Sequence, residues 1–175
     1  MHKSTVYRTL NTLEQKGFVQ QNPENGKYWL GIKLYSMGML MRERLPLTKV
    51  IYPYAKELAD KFQEVIHISV LDKSAENYPK HVIIDKVGQK MLSLTPHVGS
   101  TAPCHCSAVG KCLLAFAPPD YLAKFADKPL PGYTKKTITD WDRLLDELAQ
   151  IKAKGYAIDD QELEVGLTCV AGPVF

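Results

Sequence analysis

The feature that most constrains the fold is the change from helical to strand periodicity within the first thirty residues. Over residues 1–19, Val6, Leu10 and Leu13 recur at the spacing of one helix face. Ser4 or Thr5 is expected to cap the start of this helix by accepting from backbone N–H groups of the first turn. Gly17 is expected to end it. The sequence therefore predicts an amphipathic helix that stops shortly before residue 18.

A β-hairpin is predicted directly after this helix. Residues 18–21 and 27–30 are short strand-like runs, and the five residues between them include Pro23 and the pair Asn25-Gly26. Proline presets φ, and Asn-Gly accommodates the positive φ values of tight turns. A helix followed at once by a hairpin is the arrangement of a recognition helix and wing in winged-helix DNA-binding domains.

The polar side of the first helix supports a role in DNA recognition. Its residues are Lys3, Tyr7, Arg8, Asn11 and Gln15. Lys, Ser, Thr, Tyr and Arg near the N-terminal end of a helix suit contacts in the major groove. The alternative is an ordinary amphipathic helix whose polar face is only solvated.

Charge and composition limit the other classes of function. Residues 1–46 hold seven basic and three acidic residues, whereas the remainder holds 15 basic and 16 acidic ones. The positive charge therefore lies in the part expected to contact phosphates. No apolar run approaches the ~18 residues of a membrane span. Three of the four cysteines fall within nine residues and form no spaced disulfide framework, so a cytoplasmic protein is expected.

Two helices are predicted after the hairpin. Residues 32–45 carry apolar side chains on more than one side, which is unusual for an isolated surface helix. This helix is expected either to pack against a partner subunit or to be buried within its own chain. Pro46 breaks the pattern. A second helix then presents Ile51, Ala55, Leu58 and Phe62 on one stripe, with Pro53 near its beginning, where a missing N–H costs little.

An antiparallel sheet is predicted next. Residues 65–71 and 80–87 are β-branched runs, and a third strand is expected at residues 91–95. His67 and His81 lie on these strands and are read as structural histidines rather than ligands.

Residues 99–116 are the second informative stretch. A loop with the sequence Pro-Cys-His-Cys precedes a helix that is expected to begin near Ser107. A helix N-terminus offers unpaired backbone N–H groups and the positive end of the helix dipole, which suit a small carboxylate. Ser107 and Ala108 are small enough for a ligand to approach.

The C-terminal part reads as helix, strand, acidic loop and strand. The helix at residues 140–154 should bury Leu144, Leu148 and Ile151 and end at Gly155 in the left-handed conformation. A strand at residues 156–158, a loop that contains Asp159 and Asp160, and an apolar strand at residues 166–175 follow.

These segments together resemble the isocitrate lyase regulator (IclR) family of bacterial transcription factors. The similarity lies in the N-terminal pattern Lys3-Ser4-Thr5-Val6-Tyr7-Arg8 with Gly17-Phe18-Val19, and it continues through Gly26-Lys27-Tyr28. It recurs in Pro103, His105, Ser107, Gly110 and Lys111, which match the family segment that lines the effector pocket. Gly155-Tyr156, Asp159-Asp160-x-Glu162 and Gly166-Leu167-x-Cys169 extend it.

The resemblance implies an α+β fold in three parts. Residues 1–31 would be a partial winged helix-turn-helix, residues 32–46 a linker helix, and residues 47–175 a GAF-like effector domain with a central antiparallel sheet. Family members carry two further helices before the recognition helix and more strands after residue 175. The chain is therefore expected to be truncated at both ends, with part of the pocket wall absent.

The resemblance also implies the site residues. Those facing operator DNA would be Lys3, Ser4, Thr5, Tyr7, Arg8, Asn11 and Lys27. Those around a small organic-acid effector would be Ala102, His105, Ser107, Ala108, Val109, Asp159, Leu167 and Cys169. Backbone N–H groups of Ala108 and Val109 would hold the carboxylate, and Asp159 would accept from a ligand hydroxyl or water. A homodimer or homotetramer is expected, with no cofactor and no membrane partner.

Two other functions compete with this reading. The chain could be a stand-alone small-molecule sensor without DNA binding. Cys104, His105, Cys106 and Cys169, with His97, could instead form a metal site or a thiol enzyme. Adjacent residues of one loop do not easily all turn towards one tetrahedral metal, and no C-x-x-C pair occurs. Cys112 lies on an apolar helix stripe and is expected in the core.

Overall fold

The computed structural model describes residues 2–88 and 96–175. It divides into two compact units, Met1–Pro53 and Tyr54–Phe175. The division into residues 1–31, 32–46 and 47–175 stays a prediction. The described chain mixes helices with small antiparallel sheets, which confirms the α+β class.

The first unit begins with the predicted helix and hairpin. Helix α1 spans Lys3–Gln15, and strands β1 (Val19–Gln21) and β2 (Tyr28–Leu30) pair antiparallel. Gly17 ends the helix at φ +75°, a value that L side chains rarely adopt. The turn after the helix is closed by a hydrogen bond from the N–H of Phe18 to the Leu13 carbonyl at 2.8 Å.

The predicted cap of α1 is wrong. The helix begins at Lys3 after His2, and no side chain caps it. Ser4 and Thr5 therefore lie inside the first turn rather than before it. The N–H groups of Thr5 and Val6 donate to the backbone carbonyl of His2 instead.

The two predicted helices follow as α2 (Ile32–Arg44) and α3 (Pro46–Phe62). Leu45 between them is extended, because a residue that precedes proline avoids the helical region. Pro46 takes the first helical position, where its missing N–H costs nothing. Pro53 therefore lies well inside α3, and its expected place near the helix start is wrong.

The buried face of α3 in the second unit also differs from the predicted stripe. Ala55 and Ala59 are buried, whereas Leu58 and Phe62 are 44% and 58% exposed. Small side chains let α3 lie close to the end of β4. A Cβ added at Gly88 would touch Ala59 and the backbone at Glu64 and Val65.

The main sheet of the second unit has three strands, β3 (Ile66–Leu71), β4 (Lys80–Val87) and β5 (Thr101–Pro103), all antiparallel in that order. The first two strands confirm the prediction. The strand expected at residues 91–95 lies outside the described residues. Strand β5 is not predicted and ends at the first residue of the expected Pro-Cys-His-Cys loop, because three residues that end in proline carry no periodic signal.

Helices and a second sheet complete this unit: α4 (Ala108–Ala115), α5 (Pro119–Ala123), α6 (Trp141–Lys154), β6 (Ala157–Asp160) and β7 (Thr168–Ala171). Asp140 caps α6 by accepting from the N–H of Arg143, and Gly155 ends it at φ +80°. The core packs α4 against α6 through residues that include Cys112, Leu114, Leu144, Leu148 and Ile151. Among the described residues, none of the helices is both long and apolar enough to cross a bilayer.

Candidate functional site

The candidate DNA-contacting face of α1 is open to solvent. Lys3, Ser4, Thr5 and Arg8 are exposed, and Tyr7 is 61% exposed. Asn11 is only half-buried, as are the stripe residues Val6, Leu10 and Leu13. The structure thus leaves free most of the side chains that the resemblance assigns to DNA.

Hydrogen bonds tie the hairpin to α1 and close it on itself. The N–H of Gln21 donates to Glu14 Oε1 at 3.0 Å, and the N–H of Gly31 donates to the Phe18 carbonyl at 2.7 Å. A Cβ at Gly31 would collide with the backbone of Gly17. Lys27 is exposed in the turn beside Gly26, whose φ is +68°. Helix α1 and the hairpin that carries Lys27 therefore form one local assembly.

Ser107 organises the second candidate site, at the N-terminus of α4. It is the helix N-cap, and its Oγ accepts from the N–H of Gly110 at 3.2 Å. The same hydroxyl donates to the Pro103 carbonyl at 2.8 Å and contacts His81 Nε2 at 3.1 Å. A hydroxyl has one proton and two acceptor positions, so Ser107 Oγ has no capacity left for a ligand.

Two backbone donors remain available beside this cap. The N–H of Lys111 donates to the Ser107 carbonyl and that of Gly110 to its hydroxyl. In residues 2–88 and 96–175, nothing accepts from the N–H groups of Ala108 and Val109. Unpaired N–H groups in the first turn are suited to an anion because they add to the positive end of the helix dipole.

His81 lies directly beneath this helix start. It is 4% exposed and lies on β4 between Leu71 of β3 and Ala102 of β5. Burial, with a smaller contribution from the charge of His67, lowers the pKa of His81 to about 4. The ring is therefore neutral at pH 7. Because Ser107 uses its proton on Pro103, His81 Nε2 carries the hydrogen and donates to Ser107.

Asp159 occupies a buried position on β6. It is 2% exposed, lies opposite Cys169 of β7, and accepts from the N–H of Glu162 at 2.8 Å. Burial raises its pKa, and the hydrogen bond from Glu162 and the charge of Lys111 oppose that shift. The expected acidic loop is wrong here, because Asp159 and Asp160 lie in a strand whose side chains alternate between the core and solvent.

A buried ion pair holds the segment after Asp159 to α4. Lys111 is fully buried, and its Nζ lies 2.5 Å from Glu162 Oε1 and 3.2 Å from Glu147 Oε1. Burial raises the pKa of Glu162, and the Lys111 contact opposes this. The Lys111–Glu162 pair therefore connects α4, whose first N–H groups are unpaired, with the segment that follows Asp159.

The remaining predicted site residues divide into two groups. Ala102 lies half-buried beside His81, and Leu167 is 40% exposed near the start of β7. His105 is different: it is fully buried, its Nε2 contacts the Pro131 carbonyl at 2.9 Å, and its ring packs against Tyr78 and Tyr133. The structure thus engages His105 with the 131–133 segment rather than with the start of α4.

A groove of about 490 Å³ lies beside His105. It is lined by Asn77, Tyr78, Lys128, Pro129 and Pro131. Neither Ser107 nor Asp159 lines it, so it is distinct from the candidate acid site.

The cysteines are poor nucleophiles and do not gather a metal site. Burial raises the pKa of Cys104 well above its usual value and that of Cys106 to about 12, with Asp159 and Glu162 adding to the shift at Cys106. Burial also raises the pKa of Cys112 and Cys169. A thiol in this state is protonated at neutral pH. Within the described ranges, no three His, Cys, Asp or Glu side chains are placed to hold a metal ion.

Comparison with known proteins decides the family. The sequence family described as "Bacterial transcriptional regulator IclR C-terminal" matches residues 39–175, and the IclR helix-turn-helix domain matches residues 1–23. The chain belongs to the IclR family of bacterial transcriptional regulators. The resemblance found in the sequence is therefore confirmed, and so is the expectation of a regulator rather than an enzyme.

Individual IclR proteins agree with this assignment. The chain is 35% identical to the HTH-type transcriptional regulator KdgR of Escherichia coli over 176 residues, which is the whole chain but 65% of that protein. The crystal structure of Thermotoga maritima IclR is 30% identical and matches with a TM-score of 0.72, covering the whole chain and 69% of that structure. An IclR homologue from Microbacterium hydrocarbonoxydans, solved in complex with 4-hydroxybenzoate, is 25% identical with a TM-score of 0.78 over the whole chain and 71% of that structure. The chain thus spans about two thirds of the length of these relatives.

Two contributions to the acid site are missed by sequence reasoning. His81 reads as a structural histidine because a lone His on a strand carries no signal of what covers it. Glu162 reads as part of an acidic loop, although Lys111, its partner, is 51 positions earlier in the chain. The alternation within residues 157–160 was the available signal for the buried position of Asp159.

Proposed function

We propose that this chain is an operator-binding subunit whose affinity for DNA is set by a small carboxylic acid held at the N-terminus of α4. The observation that carries the proposal is the pair of free N–H groups at Ala108 and Val109, next to a saturated Ser107 cap. A carboxylate there would accept two hydrogen bonds along the helix dipole. The second unit would then sense the acid, and the first would read DNA.

The other site residues take roles that follow from their positions. Ala102 and Leu167 supply apolar wall, and Cys169 lies beside Asp159 across the β6–β7 pair. Asp159 accepts a hydrogen bond from a hydroxyl of the ligand or from a water molecule. It does not face the ligand carboxylate directly, because two ionised carboxylates would repel each other. A keto acid or an aromatic acid fits this arrangement, and 4-hydroxybenzoate in the Microbacterium homologue is an acid of the second kind. His105 supports the pocket from behind by fixing the loop before Ser107.

DNA binding is assigned to the exposed face of α1 and to the wing. Arg8 and Lys3 would contact bases or phosphates in the major groove, with Ser4, Thr5, Tyr7 and Asn11 alongside, and Lys27 would contact a phosphate from the wing tip. This activity requires access to the chromosome, which places the protein in the bacterial cytoplasm.

Self-association is assigned to α2. Its side chains Leu34, Met37 and Met41 are 38%, 49% and 65% exposed. A dimer, or a tetramer built from dimers, would cover them and would match a paired operator.

Titration calorimetry tests the acid site. A panel of small keto, hydroxy and aromatic acids is titrated into the whole chain and into its Asp159→Ala and Asp160→Ala variants. Asp159→Ala should weaken binding of the acids that carry a hydroxyl by about tenfold or more, since a charge-assisted hydrogen bond is worth ~1.5–3 kcal/mol. Asp160→Ala is the matched control, because Asp160 is exposed and pairs with Lys136 on the surface. Equal binding by wild type and Asp159→Ala would remove Asp159 from the site.

Selection from random double-stranded DNA tests the recognition helix. Sequences enriched by the wild-type chain are measured by fluorescence anisotropy at fixed salt with Arg8→Ala and with Arg44→Ala. Loss of a base contact should cost ~1–3 kcal/mol of discrimination. Arg44→Ala removes the same charge from α2 and should change only the weak non-specific binding. If the two variants behave alike, α1 is not the recognition helix.

A further inference from the structure

The buried charges between α4 and β6 are unequal in number. Lys111 is fully buried, and it shares this part of the core with the carboxyl groups of Asp159 and Glu162, which are 2% and 8% exposed. If both carboxyl groups are ionised, the cluster holds two negative charges and one positive charge. An excess charge inside a protein is unfavourable because the low dielectric screens it poorly.

The two carboxyl groups of this cluster differ in their hydrogen bonds. Asp159 accepts from the N–H of Glu162 at 2.8 Å, which favours its ionised form. Glu162 contacts Lys111 through Oε1, whereas its Oε2 is shielded from solvent and makes no hydrogen bond in the described part of the chain. An ionised carboxylate accepts at both oxygens. Glu162 is therefore the carboxyl group that is less well satisfied as an anion.

Protonation of Glu162 would not leave Lys111 without an anion. Lys111 Nζ also lies 3.2 Å from Glu147 Oε1 on α6, a carboxylate whose side chain is 33% exposed. The other titratable groups that act on the two buried carboxyl groups are the surface carboxylate of Asp160, which pairs with Lys136, and the thiols of Cys106 and Cys169, which burial keeps protonated. The cluster can thus take up one proton and keep an ion pair at Lys111.

This cluster lies beside the free start of α4. Lys111 follows Ser107 by one helical turn on the same side of the helix, and helical side chains lean towards the N-terminus. The thiol of Cys106, which directly precedes Ser107, feels the charges of Lys111 and of both buried carboxyl groups. Burial already raises the pKa of Glu162. An acid bound at the first N–H groups of α4 would add a further negative charge and raise that pKa again.

We propose that Glu162 determines the charge state in which the effector is accepted: the acid binds as its carboxylate together with one proton, which Glu162 takes up from solvent. This inference rests on the proposed acid site and deepens it. Asp159 stays ionised and accepts from the ligand hydroxyl, while the protonated Glu162 offsets the charge that the ligand brings. The proton returns to solvent when the acid dissociates. Because the complex holds more protons than the free chain, binding becomes tighter as the pH falls.

Calorimetry on the whole chain measures the linked proton directly. Pyruvate, lactate and 4-hydroxybenzoate are titrated at pH 7 in Bis-Tris, imidazole and Tris, which differ in enthalpy of ionisation and carry no anionic group. The slope of the observed binding enthalpy against the buffer enthalpy gives the number of protons taken up. Wild type should take up between ~0.3 and ~1 proton with an acid that binds, and its dissociation constant should fall up to about tenfold for each unit of pH lowered between about 8 and 6. The acids are ionised throughout this range, so the proton does not come from the ligand.

Glu162→Gln and Glu164→Gln form a matched pair of variants. Glu162→Gln keeps the shape of the side chain and an oxygen for Lys111 but cannot titrate, so proton uptake should disappear and the affinity should no longer depend on pH. Glu164 is exposed in the turn between β6 and β7, and its variant should keep the wild-type uptake. Binding to wild type without proton uptake would overturn the proposal and leave the acid site intact. Equal uptake by wild type and Glu162→Gln would also overturn it, because the proton would then belong to another group, such as His81 beneath the cap.

A spectroscopic measurement on wild type avoids any dependence on variants that fold poorly. Carbon-13 NMR of side-chain carboxyl groups at pH 7 should show one glutamate signal move towards the protonated position on saturation with a binding acid, while the aspartate signals stay at the ionised position. Unchanged glutamate signals, or protonation of an aspartate, would contradict the assignment to Glu162. If none of the three acids binds, the acid site itself fails, and the inference fails with it.

Discussion

Burial lowers the pKa of His81 to about 4 in the folded chain, whereas an unfolded histidine titrates near 6.5. Between these values the unfolded state binds more protons, so the free energy of unfolding falls as the pH drops from about 6.5 towards 4. The shift corresponds to ~3 kcal/mol for this one group. Above about pH 6.5 the contribution of His81 no longer changes with pH.

Urea unfolding of wild type and His81→Gln at a series of pH values measures this contribution. The difference in stability between the two proteins should change by about 3 kcal/mol across that window, with wild type losing the more on acidification. His67 and His105, whose pKa values are also lowered by burial, are present in both proteins and cancel in the comparison. Parallel pH profiles would show that His81 does not titrate as the structure implies.

At the scale of elements, the contact between α4 and the loop before it depends on Gly110. A Cβ at this position would overlap the Cα and carbonyl oxygen of Cys104 and the hydroxyl of Ser107. Because the first two are backbone atoms, they cannot rotate away. The open helix N-terminus is therefore available only while residue 110 has no side chain.

Gly110→Ala should destabilise the chain by about 2–3 kcal/mol, the usual cost of overpacking a tight core, and should weaken acid binding by displacing the Ser107 cap. Chemical denaturation followed by circular dichroism gives the first quantity, and calorimetry with a binding acid gives the second. Gly132→Ala is the control, because its Cβ would meet only Thr139 Cγ2 at an ordinary 3.5 Å and should cost less than about 0.5 kcal/mol. Equal losses of stability in Gly110→Ala and Gly132→Ala would mean that α4 moves enough to accommodate the added methyl group at residue 110.

The elements that sequence predicts well are those whose signal is local. Helix α6 is predicted with nearly correct bounds because a 3.6-residue apolar period and Gly155 agree, and the structure adds the N-cap at Asp140. Strand β5 is missed because its three residues owe their conformation to pairing with β4, a tertiary contact. The start of α3 is missed for a related reason: proline is equally compatible with breaking a helix and with beginning one, and Pro46 does the second.

The acid site shows the same division. The helix start near Ser107 is predicted from the sequence, and the neighbouring positions of Asp159 and Cys169 follow from the family resemblance. The saturation of Ser107 Oγ depends on a contact with His81, which lies 26 positions earlier in the chain, on β4. Periodicity carries no information about such a contact, so it emerges only from the folded chain.

At the scale of the whole molecule, the apolar surface of α2 is the feature that the described chain leaves unexplained. Besides Leu34, Met37 and Met41, this helix exposes Ile32, Tyr35 and Leu40. Exposed apolar side chains grouped on one short element mark an interaction site. We propose a second copy of the chain as the partner that covers this surface, because it would also supply the two-fold symmetry of a paired operator.

Sedimentation equilibrium of the wild-type chain at tens of micromolar should therefore show a dimer or a tetramer. Met37→Glu places a charge on the stripe formed with Leu34 and Met41, and burying it in an interface would be costly, so this variant should sediment as a monomer. Met39→Glu introduces the same charge from the same residue type on the opposite side of α2, and it should leave the assembly intact. Circular dichroism of both variants controls for loss of the helix. A monomeric wild type, or equal dissociation of the two variants, would show that the Leu34–Met37–Met41 stripe does not join the subunits.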